Sequence, residues 1–294
     1  MSKATAPDPQ AALPKARSTI MPMPAFQKLL AGLLIAMWTV AGLAQSQVQA
    51  RHARVELLST QVAGHRLELG VHFTLERGWH IYWVNPGDSG QPPSLKWSLP
   101  SGATAGEILW PLPERLQSSP TIADYGYKDD VLLVVPVRLP RTQEKSSATH
   151  IGLDAKWLIC REVCLPDHAQ LRLSLIEDSG GSPGATELFA KTKAMLPRPW
   201  PKDWKARAES RKDEFALTLI TGRPLAHVQF FPLDAGQIEN AAKQRITQTR
   251  TGAKLILKKS DLLVKPIQEL RGVLVIGANA YQLRVPVISP GALK

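Results

Sequence analysis

The chain has 294 residues, with 36 Lys and Arg against 25 Asp and Glu and a formal net charge of +11. The basic residues are scattered through the chain without a run, and no nucleic-acid motif accompanies them, which argues against a nucleic-acid partner. No Gly-rich phosphate loop occurs, so nucleotide chemistry has no support.

At the N-terminus, Lys28 precedes the uncharged run LLAGLLIAMWTVAGLA at 29–44. A basic residue, a short apolar core and a small-residue exit make the pattern of a secretory signal, with cleavage after Ala44 or after Ala50. The head is longer than a signal needs, so either it is an extended n-region or the true start lies at Met21 or Met23. The run falls short of the ~20 apolar residues of a spanning helix, which makes a retained anchor the second choice. The expectation is a signal region over 1–50 and a soluble chain exported to the periplasm, where disulfides persist. Without residues 1–50 the balance is 32 basic against 24 acidic residues, or +8. The remaining length, about 244 residues, suits two domains.

Alternation dominates the rest of the chain. HRLELGVHF at 65–73 puts Leu67, Leu69, Val71 and Phe73 on one face, the period-two signature of a half-buried strand. Short strands are also expected at 80–84, 94–99, 131–139, 150–159 and 169–176, separated by Pro/Gly clusters such as NPGDSGQPP at 85–93. Trp79, Tyr82, Trp83, Trp97 and Trp110 read as sandwich core, with the alternative that one or two line a site. The stretch DSGGSPGA at 178–185 has linker composition, TELFAKTKAML at 186–196 suits one short helix, and PRPWPKDW at 197–204 stops it. Strands resume at 214–220, 227–233, 243–250, 253–259, 270–276 and 281–288, with turns at TGA and GANA. The pattern predicts an all-β chain: one sandwich over 51–177, a linker with a short helix over 178–204, and a second sandwich over 205–294.

The two cysteines of the chain lie in WLICREVCLP at 157–166. Their C-x-x-x-C spacing is not the C-x-x-C of thioredoxin-like proteins, and the flanks alternate as strands do. The simplest geometry is a β-hairpin with loop Arg161, Glu162 and Val163, and Cys160 opposite Cys164. Opposed residues lie roughly 4.5–5.5 Å apart at Cα, the short end of what disulfides prefer, so a bond can form but with strain that eases its reduction. Closing so small a loop stabilises by only ~2 kcal/mol. A structural disulfide stands as one reading and a working dithiol as the other. Lys156, Arg161 and His168 favour a thiolate, while Glu162 and Asp167 oppose it. Two thiolates plus His168 are a third reading, as ligands for Cu(I) or Zn, but no further ligand has a characteristic spacing and no metal site is expected.

GWHIYWVNPGDSGQPPSLKW (78–97), EILWPLPERL (107–116), DYGYKDDVLLVVPV (124–137) and WLICREVCLP (157–166) occur in the order found in DsbD N-terminal-like domains. The chain resembles that family, also called disulfide bond corrector domains, and most of all the periplasmic heads of ScsB (suppressor of copper sensitivity) proteins. The likeness covers residues 51–177 and, more loosely, the second block, as a second immunoglobulin-like domain. It implies two immunoglobulin-like sandwiches in which Cys160 and Cys164 form the redox pair. The pair would take electrons from a membrane DsbD/ScsB-like reductase or its thioredoxin-like domain and pass them to periplasmic disulfide proteins, with no bound cofactor. Complete members continue into a membrane reductase and a thioredoxin-like domain, neither of which is in this sequence, so the expectation is either a free-standing relay with a separate electron source or a chain that has lost the relay role. In resembling domains an aromatic-bearing loop covers the cysteines. On that pattern Tyr125 or Tyr127 would be the cap and Asp124 would assist proton transfer, and a plain turn at DYGYKDD is the alternative. An accessory binding module with an inert disulfide, and a copper-handling protein, are the competing functions.

Overall fold

The computed structural model describes residues 45–62, 65–140, 149–175, 181–182 and 184–289. The apolar run expected to be a signal lies outside them, as does half of the Gly/Ser linker at 178–185. In chain order the first half holds β1 (Gln47–Ala50), β2 (Ala53–Val62), β3 (Arg66–Leu75), β4 (His80–Gly87), β5 (Ser94–Ser98), β6 (Thr104–Ala105), β7 (Glu114–Ser119), β8 (Ile122–Lys128), β9 (Asp130–Arg138), β10 (Thr149–Cys160) and β11 (Cys164–Leu175). After them come helix α1 (Ala185–Ala194), then β12 (Lys205–Ser210), β13 (Glu214–Ile220), β14 (Val228–Pro232), β15 (Arg245–Thr249), β16 (Gly252–Lys258), β17 (Glu269–Ile276) and β18 (Asn279–Ile288). The chain is all-β, with two immunoglobulin-like sandwiches and, among the described residues, one helix.

One sheet of the first sandwich runs β1-β2-β3-β9-β6 and the facing sheet runs β11-β10-β4-β8-β7, with β5 added against β10. Alternation explains the core between them. Leu67, Leu69, Val71 and Phe73 of β3 meet Ile81 and Trp83 of β4 and Leu153, Ala155, Trp157 and Ile159 of β10. The β1 strand lies within the segment expected to be removed. QVQA pairs with β2 from Gln47↔Glu56 to Ala50↔Ala53, so cleavage after Ala50 would delete an edge strand and cleavage after Ala44 would keep it.

The stretch DYGYKDD also departs from expectation. It is not a loop: it is most of β8, paired with both β4 and β7 and buried from Ala123 to Tyr127. The β4–β8 ladder steps from Tyr82↔Gly126 to Gly87↔Asp124, an irregularity that interrupts the pairing of the two strands.

In the second sandwich the strands run β14-β17-β18-β12-β13-β16-β15. The long β18 joins its two layers, pairing antiparallel with β17 along most of its length and parallel with β12 at Val287 and Ile288. Phe215, Leu217, Phe230, Leu255, Leu274 and Leu283 make its core. Phe231, Val273 and Ala280 instead join the core of the first sandwich, so the two halves share a buried contact. Phe231 sits edge-on to Tyr125 at 5.5 Å and to Trp83 at 6.5 Å. Helix α1 packs Ala185 and Phe189 against Leu132 and Val134 of β9.

Candidate functional site: the hairpin-tip disulfide

The β10–β11 ladder is unbroken from Thr149↔Leu175 to Cys160↔Cys164, and Arg161, Glu162 and Val163 close its tip. Cys160 and Cys164 are disulfide-bonded, with Cα atoms 4.2 Å apart. Their exposures differ sharply: Cys160 is 2% exposed, whereas Cys164 is open to solvent. Cys160 pairs on its other side with His80 of β4. Because Ile159 and Trp157 fill the core, the residue between or after them on β10 faces outward, and the disulfide lies on the outer face of its sheet.

Alternation also decides which aromatic meets the sulfurs. Ile81 and Trp83 point into the core, and Tyr82 points out beside His80. The Tyr82 hydroxyl donates to Cys160 Sγ at 3.0 Å and lies 3.3 Å from Cys164 Sγ. Its ring is 1% exposed despite facing away from the core, because the loop after β4 folds over it. Gly90 holds φ +77°, and a Cβ there would sit 2.1 Å from the Tyr82 ring. The loop backbone therefore rests directly on the ring, a fit that glycine alone allows. Burial raises the Tyr82 hydroxyl above the usual phenol range, which keeps it a donor at any working pH.

The expected cap, Tyr125 or Tyr127, is corrected by the same alternation. Both rings belong to the core face of β8, opposite to the disulfide. Tyr127 donates to the Pro111 carbonyl at 2.8 Å and Tyr125 to Asn240 Oδ1 at 3.1 Å. Burial pushes both phenols well up. Asp124, one residue along, does reach the outer face. Its Oδ1 accepts from the Ser89 N–H at 2.9 Å and its Oδ2 from the Ser89 hydroxyl at 2.8 Å, so it anchors the loop over Tyr82.

Among the flanking charges, Arg161 places its guanidinium 5.1 Å from the Trp79 ring centre, and Trp79 stacks on His52 at 3.9 Å. Lys156 pairs across the strands with His168, and Asp167 accepts from the Arg51 N–H at 2.9 Å. Lys156 and His168 line a cleft of about 530 Å³ on the disulfide's face, along with Gln91, Pro92, Leu158 and Pro166. His80 was not singled out by the sequence, although its alternation with Tyr82 carried the signal. Its Nε2 is buried without a hydrogen-bond partner, and burial lowers its pKa, with Asp124 raising it and Lys128 lowering it. Among the described residues no group of three or more His, Cys, Asp and Glu is arranged to hold a metal ion, and no helix is long and apolar enough to cross a membrane.

The first sandwich thus carries its disulfide at a hairpin tip, beneath the Tyr82 hydroxyl. Residues 46–175 match the family described as "Thiol:disulfide interchange protein DsbD, N-terminal", and this part of the chain is a DsbD N-terminal-like domain. The fold of both halves together is that of the N-terminal periplasmic domain of ScsB from Proteus mirabilis. The two share 15% identity at a TM-score of 0.66, over 83% of this chain and 99% of that one. A yeast GGA1 GAE domain (12% identity, TM-score 0.25, 43% of this chain and 98% of that one) and the periplasmic chaperone SfaE (10%, 0.19, 78% and 94%) resemble it too remotely to bear on the argument. A search of curated proteins by sequence found no match.

Proposed function

We propose that this chain is a periplasmic thiol–disulfide interchange protein. Its Cys160–Cys164 dithiol carries electrons from a membrane DsbD/ScsB-like reductase, or that reductase's thioredoxin-like domain, to disulfides of other periplasmic proteins. The observation that carries this reading is the asymmetry of the pair: an exposed Cys164 beside a buried Cys160 that accepts a hydrogen bond from Tyr82. The family match over residues 46–175 supports it independently.

The chemistry follows from that asymmetry. A donor thiolate attacks exposed Cys164 Sγ, a new S–S bond forms to the donor, and the Cys160–Cys164 bond breaks. The bonding pair leaves on Cys160 Sγ, where the Tyr82 hydroxyl already points and where a thiolate accepts a stronger hydrogen bond than a disulfide sulfur does. The donor's second thiolate then attacks its own sulfur in the mixed disulfide and releases Cys164 as a thiolate. In the discharging half, Cys164 attacks a substrate disulfide and Cys160 resolves the mixed disulfide, regenerating the bridge. The cleft beside Leu158 and Pro166, two register steps from the cysteine pair, offers room for the partner chain. The dithiol itself cycles, so the reaction needs no bound cofactor.

Trapping tests this reading. Cys160→Ser leaves the exposed thiol without its resolving partner and is expected to accumulate mixed disulfides with periplasmic proteins on non-reducing gels. Cys164→Ser, which leaves only the buried thiol, is expected to trap far less. Failure of both variants to trap any partner contradicts the proposal.

A further inference from the structure

Three consecutive residues of the loop after β4 each have a separate attachment. Gly90 lies on the Tyr82 ring, Ser89 is held by Asp124, and Asp88 is held from the second sandwich. In that last contact Asn240, in the segment between β14 and β15, donates from Nδ2 to Asp88 Oδ1 at 2.7 Å. Asp88 Oδ2 meanwhile accepts from the Ala123 N–H at 2.8 Å, which ties the same carboxylate to β8.

Asn240 is itself seated with care. Its side chain is nearly enclosed, at 6% exposure, and both ends of its amide are used: Tyr125 donates to Oδ1 at 3.1 Å while Nδ2 holds Asp88. Arg115 of β7 donates through Nε and Nη2 to the Asn240 carbonyl at 3.0 and 2.9 Å, and through Nη2 to the Ala241 carbonyl at 2.8 Å. Nearby, buried Asn85 donates to the Pro232 carbonyl at 2.8 Å, and Phe231 packs on Tyr125 and Trp83. A buried amide satisfied at both ends has one orientation, and that orientation presents a donor to the redox-site loop.

We propose that Asn240 is a positioning residue for the disulfide, and that the second sandwich serves to set the Tyr82 hydroxyl against the cysteine sulfurs. The route is Asn240 to Asp88, along the backbone to Gly90, and through the Gly90 contact to the Tyr82 ring. This rests on the redox reading above and gives the second sandwich a part in it. Without the Asn240 contact the loop keeps its ties to β8, through Ser89 to Asp124 and through Asp88 to the Ala123 N–H, but loses its hold on the second sandwich, so the ring gains room and its hydroxyl no longer stays on Cys160 Sγ.

The test is the rate at which dithiothreitol reduces the oxidised full-length protein, in wild type and four variants. Asn240→Ala is expected to slow reduction towards the rate of Tyr82→Phe, by roughly tenfold if one charge-assisted hydrogen bond is lost. In the Tyr82→Phe background, Asn240→Ala is expected to have no further effect, because it acts through the missing hydroxyl. The exchange Asp88→Asn with Asn240→Asp restores a donor–acceptor pair at the same place and is expected to recover the wild-type rate, which an effect on folding alone would not predict. An unchanged rate in Asn240→Ala, an additive loss on top of Tyr82→Phe, or no recovery in the exchanged pair each overturns the positioning role while leaving the redox reading in place. A wild-type disulfide that dithiothreitol does not reduce overturns both.

Discussion

The Tyr82 hydroxyl lies 3.0 Å from Cys160 Sγ and donates to it, under a loop that leaves the ring 1% exposed. In the proposed exchange this donor faces the sulfur that leaves when Cys164 is attacked. A hydrogen bond to a charged acceptor contributes about 1.5–3 kcal/mol, against about 1 for a neutral one. Tyr82→Phe keeps the ring and removes the donor. It is expected to slow thiol attack on the disulfide by about tenfold or more and to shift the potential towards more reducing values, with little change in the thermal midpoint. Stopped-flow reduction and a thermal melt check both halves.

Reduction itself is expected to leave the fold standing. The β10–β11 ladder pairs continuously down to the cysteines, so the bridge adds a constraint where the strands already supply one. Closing a loop of about five residues stabilises by only about 2 kcal/mol in the chain-entropy account. Denaturant unfolding of oxidised and reduced protein is expected to differ by no more than that. A loss of 4 kcal/mol or more, on the order expected for bridges that close ~100-residue loops, would mark the disulfide as a staple.

Burial lowers the pKa of His80 from its ordinary value of 6.5, against the opposing pull of Asp124 and with the help of Lys128. This lowering fixes the sign of its effect on stability. Above the unfolded value the imidazole is neutral in both states and carries no penalty. As pH falls below it, the unfolded chain takes up a proton before the folded one does, so stability declines through the folded pKa. His80→Gln is expected to flatten this part of the acid limb, seen as a smaller loss of unfolding free energy between neutral and mildly acidic pH than wild type shows. Equal slopes for the two proteins would remove His80 from the account.

Much of this site is legible in the sequence, and the rest fails for physical reasons. The hairpin can be read from C-x-x-x-C because both flanks alternate, and two residues paired across a three-residue turn need nothing more. Most strands of both sandwiches follow from the same period of two. The β8 strand does not, since DYGYKDD carries the Gly, Asp and Lys of a turn and becomes a strand only because β4 and β7 enclose it. That tertiary override is why the sequence points to Tyr125 and Tyr127 as the cap and not to Tyr82. Once β8 is a strand, its parity sends both tyrosines to the core and leaves Asp124 on the cysteine face. Tyr82 is obscured by its neighbours, because in HIYWV it reads as one more core aromatic until the loop that folds over it is seen. Asn240 carries no local signal at all, since its role depends on the docking of two sandwiches, through partners more than a hundred residues away in sequence.

The central claim is that the Cys160–Cys164 disulfide is a working redox couple, and its equilibrium potential tests this most directly. The full chain is equilibrated in glutathione buffers of graded poise and its free thiols are counted after acid quenching. The account predicts a midpoint above about −300 mV, within reach of thioredoxin-like donors. A midpoint below that value, where structural bridges resist the glutathione pool, would contradict it.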